Sequence, residues 1–175
     1  MENRNERWKT VREALERLYR EVDGEAGRLS ALHAGRLQCR RGCCSCCEDD
    51  LTVFEVEAEN IRFHYPRLLT EGSPHPPGAC AFLDEEGACR IYARLPYVCR
   101  TQGLPLRWIE ESPEGEAVEM RAICPLNEEG EAVETLPAEA CWSIGPAEAA
   151  LVRLQKQISG GELRRVALRS LFRRR

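Results

Sequence analysis

The sequence predicts an α+β fold in one small domain spanning 1–175. Three observations carry this. Apolar residues recur at three–four spacing near both ends, residues 105–123 alternate apolar with polar, and the centre is crowded with cysteine and has no periodicity. The expected architecture is terminal helices around an irregular, Cys-rich metal-binding centre with a short β-hairpin.

Residues 4–34 read as a long amphipathic helix, because Trp8, Val11, Leu15, Leu18, Val22, Leu29 and Leu32 form one stripe. Gly24 and Gly27 weaken its middle and predict a kink or break. Gln38 to Asp50 is too rich in cysteine for a regular element and reads as a loop wrapped around something. Thr52 and Glu55 have capping-box spacing, which predicts a helix over about 54–65 that ends before Pro66. Three prolines and two glycines make 71–78 an irregular connection. Leu106 and Trp108, then Val118, Met120 and Ala122 beyond a Ser-Pro-Glu-Gly turn, predict the hairpin. Pro146 suits a first helical turn, and Leu151, Leu154 and Ile158 supply that helix with an apolar face. Gly160 and Gly161 end it, and a short Arg-rich helix from Glu162 is expected to close the chain, so that helices occupy 146–174.

Apolar residues are 43% of the chain and aromatics only 6%, so the core rests mainly on Leu, Val, Ala and Ile. No apolar run approaches the ~20 residues that span a bilayer. The charged first thirty residues lack the apolar heart of a signal peptide. A cytoplasmic protein without a membrane partner is therefore expected, and in that compartment ten cysteines read as metal ligands before they read as disulfides. The net charge of −4 conceals +3 over 1–47, −14 over 48–148 and +7 over 149–175. The acidic body argues against nucleic acid as a partner. Arg164, Arg165, Arg169, Arg173, Arg174 and Arg175 then read as a solubilising end. The acidic runs at 84–86 and 128–131 read as solvated turns. No phosphate loop, Ser-His-Asp arrangement or nucleotide fingerprint is present, so no catalytic residue is assigned.

The chemistry lies in Cys39-Arg-Arg-Gly-Cys43-Cys44-Ser-Cys46-Cys47, five cysteines in nine residues. Thiolates are soft ligands that favour zinc, cuprous copper and iron–sulphur centres. Close spacing lets one loop wrap an ion at little additional closure entropy. Adjacent Cys46 and Cys47 point apart, which hints at a cluster, two sites or a bridging arrangement. Partners follow at Cys80, Cys89, Cys99 and Cys124, with Cys141 later. His33 and His64 fall on predicted helices and read as surface or packing residues, and His75 between prolines is the reserve ligand. Arg100 beside Cys99 reads either as a charge that stabilises thiolates or as an exposed side chain. Tyr92 reads as a packing residue beside the site.

These motifs resemble the CxxCxxCC zinc- or iron-chelating family. Gly42-Cys43-Cys44-Ser45-Cys46-Cys47 matches its Gly-Cys-x-x-Cys-Cys loop, and Leu51-Thr52-Val53-Phe54-Glu55 follows as the family's apolar stretch and helix do. Its second hallmark is similar to Cys80-Ala81-Phe82-Leu83, the acidic turn 84–88, and Cys89-Arg90-Ile91-Tyr92-Ala93-Arg94-Leu95-Pro96-Tyr97-Val98-Cys99-Arg100. Gly103-Leu104-Pro105-Leu106 and Cys124-Pro125-Leu126-Asn127 extend the resemblance to about 39–127. It implies a metal held by Cys39, Cys43, Cys46, Cys47, Cys80, Cys89, Cys99 and Cys124, where the 39–47 loop meets the later Cys loops. Cys44 stands where the pattern has a small non-ligating residue, and burial against Trp142 accounts for Cys141. Leu95 replaces the family's Arg before Pro96, so any charge that Arg supplies shifts to Arg94 or is lost. Eight thiols with two adjacent favour an iron–sulphur cluster over Zn2+. The expected role is redox chemistry, metal handling or sensing. The alternatives are a structural zinc module that engages a protein partner, or a cluster-dependent enzyme.

Overall fold

The computed structural model describes residues 4–172. Helix α1 runs over Arg4–Leu32, β1 over Thr52–Phe54, α2 over Glu55–His64 and α3 over Pro66–Glu71. A 3-10 turn at Tyr92–Arg94 precedes the short α4 at Tyr97–Arg100, and the hairpin β2–β3 covers Leu106–Glu111 and Ala117–Ala122. Single 3-10 turns at Pro125–Asn127 and Ala138–Ala140 lead to β4 at Trp142–Ser143. Helix α5 spans Pro146–Ser159, β5 Arg165–Ala167, and a last 3-10 turn Leu168–Leu171. The fold is α+β, as expected.

Two small sheets join distant parts of the chain. β1 pairs antiparallel with β5, with Val53 opposite Val166, while β2 pairs antiparallel with β3 and parallel with β4. The buried stripe of α1 (Val11, Leu15, Tyr19, Val22, Ala26 and Leu29) packs against Val56, Tyr97, Trp142, Leu151 and Leu154. A second core gathers Val53, Ile61, Leu69, Phe82, Ile91, Val166 and Leu168, with the Phe82 and Phe172 rings 5.0 Å apart. Cys80 is part of this second core, and Cys47 and Cys89 pack against it.

Several expectations are corrected. α1 passes through Gly24 and Gly27 without a break, because Val22, Ala26 and Leu29 bury on either side of them. That packing offsets the roughly 1 kcal/mol each glycine costs a helix. The helix ends at Leu32, which is exposed and leaves the stripe. The capping box is not Thr52–Glu55. Thr52 sits in β1 opposite Ala167, and α2 is capped by Phe54, whose backbone N–H is bonded by the Glu57 carboxylate at the third helical position.

The segment beyond Gly160–Gly161 is not a helix. Both glycines take positive φ and turn the chain back. Val166, Leu168, Leu171 and Phe172 then bury against the second core as strand and 3-10 turn. Arg164 pairs with Glu55 at 3.2 Å, and Arg165 donates to the Thr52 hydroxyl at 2.9 Å. Arg169 pairs with Asp49 and donates to the carbonyls of His75 (2.6 Å) and Ala79 (2.8 Å). These three arginines brace the fold; Arg173, Arg174 and Arg175 lie outside the described residues.

Candidate metal centre

The Cys loop is built from two consecutive turns. Cys43 N–H donates to Arg40 O and Cys47 N–H to Cys44 O, each at 2.9 Å, with Gly42 in the left-handed region at φ 84°. The loop is tied to the next segment by Cys80 N–H donating to Cys47 O at 2.9 Å. Downstream, Leu83 and Cys89 form an isolated antiparallel bridge around the acidic turn. Asp84 closes that turn, its Oδ1 accepting from Glu86 N at 3.0 Å and Ala88 N at 2.8 Å. The bridge brings Cys80 and Cys89 to the same place. Cys99 enters on α4, its N–H bonded to Pro96 O at 3.0 Å.

Five thiols thus share one electrostatic neighbourhood. Cys47 donates to the Cys46 sulphur, and this bond pulls Cys46 down to about 6. Cys47 rises for the same reason, then through burial and the charges of Cys46, Cys80 and Cys99. Burial pushes up Cys80, Cys89 and Cys99, and Cys99 also feels Cys80, Cys89, Glu57 and Cys46. The thiolates of Cys47, Cys89 and Cys99 are opposed by burial and by neighbouring cysteines, so the set favours a cation that offsets their charge. The donor set therefore fits a thiophilic ion or cluster in its chemistry. Among the described residues, however, no three His, Cys, Asp or Glu side chains form a group that could hold a metal ion.

The remaining cysteines fall elsewhere. The Cys39 sulphur lies against Gly103 and the Asn127 amide, and Cys124 opens the 3-10 turn that carries Asn127. Cys43 is half-buried on the first turn of the loop. Cys44 is exposed beside the Gly87 turn. Cys141 is buried with Val133, Leu136 and Ala140, whereas the adjacent Trp142 belongs to the α1 core.

His33 is buried with Nε2 2.7 Å from Ala140 O, and His64 sits 3.7 Å from Glu16. His75 is held by its backbone, accepting from Arg169 and donating to Ala81 O at 2.9 Å. Arg94 pairs with Glu16 on α1 at 3.3 Å. Arg100 is not exposed. It lies 4.0 Å over the Tyr19 ring and pairs with Asp23 at 2.6 Å, bracing α4 to α1. Tyr92 does not pack beside the site: it is 75% exposed, and Ile91 fills the core instead.

Two buried polar residues that sequence reasoning missed stand behind the cysteines. Glu57 accepts from Tyr97 N at 2.8 Å and from the Tyr19 hydroxyl at 2.9 Å, fixing the start of α4 two residues before Cys99. Burial raises its carboxyl above the usual range. Asn127, wholly buried, bonds Gln38, Cys39 and Gly103. Its only sequence signal was its place in Cys-Pro-Leu-Asn.

Cysteine-bearing loops gathered on a small α+β scaffold define a metal-chelating class of protein. The chain belongs to the CxxCxxCC family, described as a putative zinc- or iron-chelating domain, whose pattern matches residues 38–125. No curated protein and no solved structure matches it. No helix among the described residues is long and apolar enough to cross a membrane.

Proposed function

We propose that the chain holds an iron–sulphur cluster through thiolates drawn from Cys46, Cys47, Cys80, Cys89 and Cys99. Cys39, Cys43 and Cys124 serve it, or a second ion, from the other end of the loop. The observation that carries this reading is the gathering of Cys47, Cys80 and Cys89 at one core, tied by the Cys47–Cys80 backbone bond and the Leu83–Cys89 bridge, with Cys46 adjacent to Cys47. The expectation that Cys46 and Cys47 point apart does not hold, since their thiols bond each other; a single tetrahedral ion draws four ligands onto one atom, whereas a cluster spreads its thiolates over several metal atoms. When bound, such a cluster supplies electron transfer or redox sensing. The chain's own residues supply the thiolates, partial burial, and the fixed loop-to-loop bonds that hold sulphur together. The reading also places the protein in a reducing compartment such as the cytoplasm.

A structural zinc reading is favoured by one different observation. Residues 38–51 and 72–91 contain no helix or strand, and such loops gain order from a closed metal site. The two readings separate on anaerobically purified protein. Brown protein with iron and acid-labile sulphide supports the cluster, and colourless protein with stoichiometric zinc supports the module. Folded protein that takes up neither metal would overturn both.

A further inference from the structure

We propose that Asn127 is a positioning residue for Cys39, donating an amide N–H to its sulphur while fastening three loops around it. This rests on the reading that Cys39 is a thiolate ligand. Asn127 has no exposed surface and uses its whole side chain. Its Oδ1 accepts from Gln38 N at 2.8 Å, and its Nδ2 donates to Gly103 O at 2.8 Å and to Cys39 Sγ at 3.5 Å. One acceptor and both amide hydrogens are thereby occupied. The backbone is held equally firmly. Asn127 N donates to Cys124 O at 2.7 Å, and Arg36 Nε donates to Asn127 O at 2.8 Å. Arg36 is itself buried and also bonds the carbonyls of Glu131 and Glu128.

The other wall of the socket is Gly103. Its φ is +88°, and a Cβ there would stand 2.4 Å from Cys39 Sγ and 3.3 Å from Asn127 Nδ2. The sulphur therefore rests on bare backbone with the amide beside it. An N–H donated to a metal-bound thiolate withdraws charge from sulphur and fixes the direction of its lone pairs. Partners of this kind commonly govern metal affinity by about 10–100-fold. The Asn127 backbone also bonds Cys124, so one residue couples the first and last cysteines of the candidate set. It lies beyond the family match, which ends at residue 125.

The test uses the full chain loaded with cobalt, whose thiolate charge-transfer band reports sulphur ligation directly. Asn127→Ala should shift that band and weaken cobalt affinity about 10–100-fold. Cys39→Ser should cause a comparable loss, and the double variant should lose no more than Cys39→Ser alone. Asn127→Ser carries the same expectation and serves if the alanine variant does not fold. An unchanged band and affinity, or losses that add in the double variant, overturn the role of Asn127. So does a Cys39→Ser variant that binds as the parent does. A parent chain that takes up no cobalt contradicts the metal-chelating reading and this role with it, an outcome distinct from a loaded parent beside an unaltered Asn127 variant.

Discussion

Replacing Glu57 with alanine probes how α4 is held beneath Cys99. The carboxylate is 3% exposed and receives bonds from the Tyr19 hydroxyl, the Tyr97 N–H and the Phe54 N–H. Stranding a buried donor costs about 1–3 kcal/mol, and the tyrosine hydroxyl and Tyr97 amide are both deep. Relief from burying the carboxyl offsets part of that, so Glu57→Ala should lose about 2–4 kcal/mol. At this chain length that is a fall in Tm of about 5–15 °C. Glu57→Gln keeps the acceptor for Tyr19 and Tyr97 and should lose only about 1 kcal/mol. The parent and Glu57→Gln differ in pH dependence as well. Burial raises the Glu57 pKa in the folded state, so its contribution is full below the unfolded value of about 4.3 and is lost as pH rises through the folded value. The parent's advantage over Glu57→Gln should therefore be largest in acid and shrink towards neutral pH. Urea unfolding of the three chains at several pH values measures this. An alanine variant within about 0.5 kcal/mol of the parent would mean that Glu57 does not hold α4 in place.

Other outcomes follow from the same structure. Gly27→Ala should raise stability by about 0.5–1 kcal/mol, since an added Cβ meets nothing within 4 Å and the position lies inside α1; a loss of helix content by circular dichroism would contradict this. Arg169→Ala removes the Asp49 pair and the bonds to 75–79, so limited proteolysis should cut that connection several-fold faster, and an unchanged rate would count against its bracing role. Single Ser variants of Cys46, Cys47, Cys89 and Cys99 should lose metal, whereas Cys44→Ser and Cys141→Ser should keep it, as elemental analysis would show.

The helices α1 and α5 and the β2–β3 hairpin were legible because their apolar periodicity is strong and local. The strand β5 was not, since its partner β1 lies over a hundred residues upstream and three residues, Arg165–Ala167, carry no period. The unbroken α1 was masked for a related reason. Glycine propensity is local, while the packing of Val22, Ala26 and Leu29 that overrides it is tertiary. The cysteine pattern was legible as letters and spacing, and the family match confirms the metal-chelating class. Which thiols feel one another was not legible, because the Cys47–Cys80 backbone bond and the Leu83–Cys89 bridge set it. Glu57 looks like an ordinary surface residue in the sequence, and Asn127 stands out only as the last letter of Cys-Pro-Leu-Asn; both show their role only once buried.

The central claim is that sulphur alone surrounds the metal. X-ray absorption at the metal edge of the anaerobically purified chain measures this directly. A shell of sulphur is expected, at about 2.3 Å for zinc, with no light-atom ligand. For iron a second, metal–metal shell is expected as well. A first shell dominated by nitrogen or oxygen would contradict it.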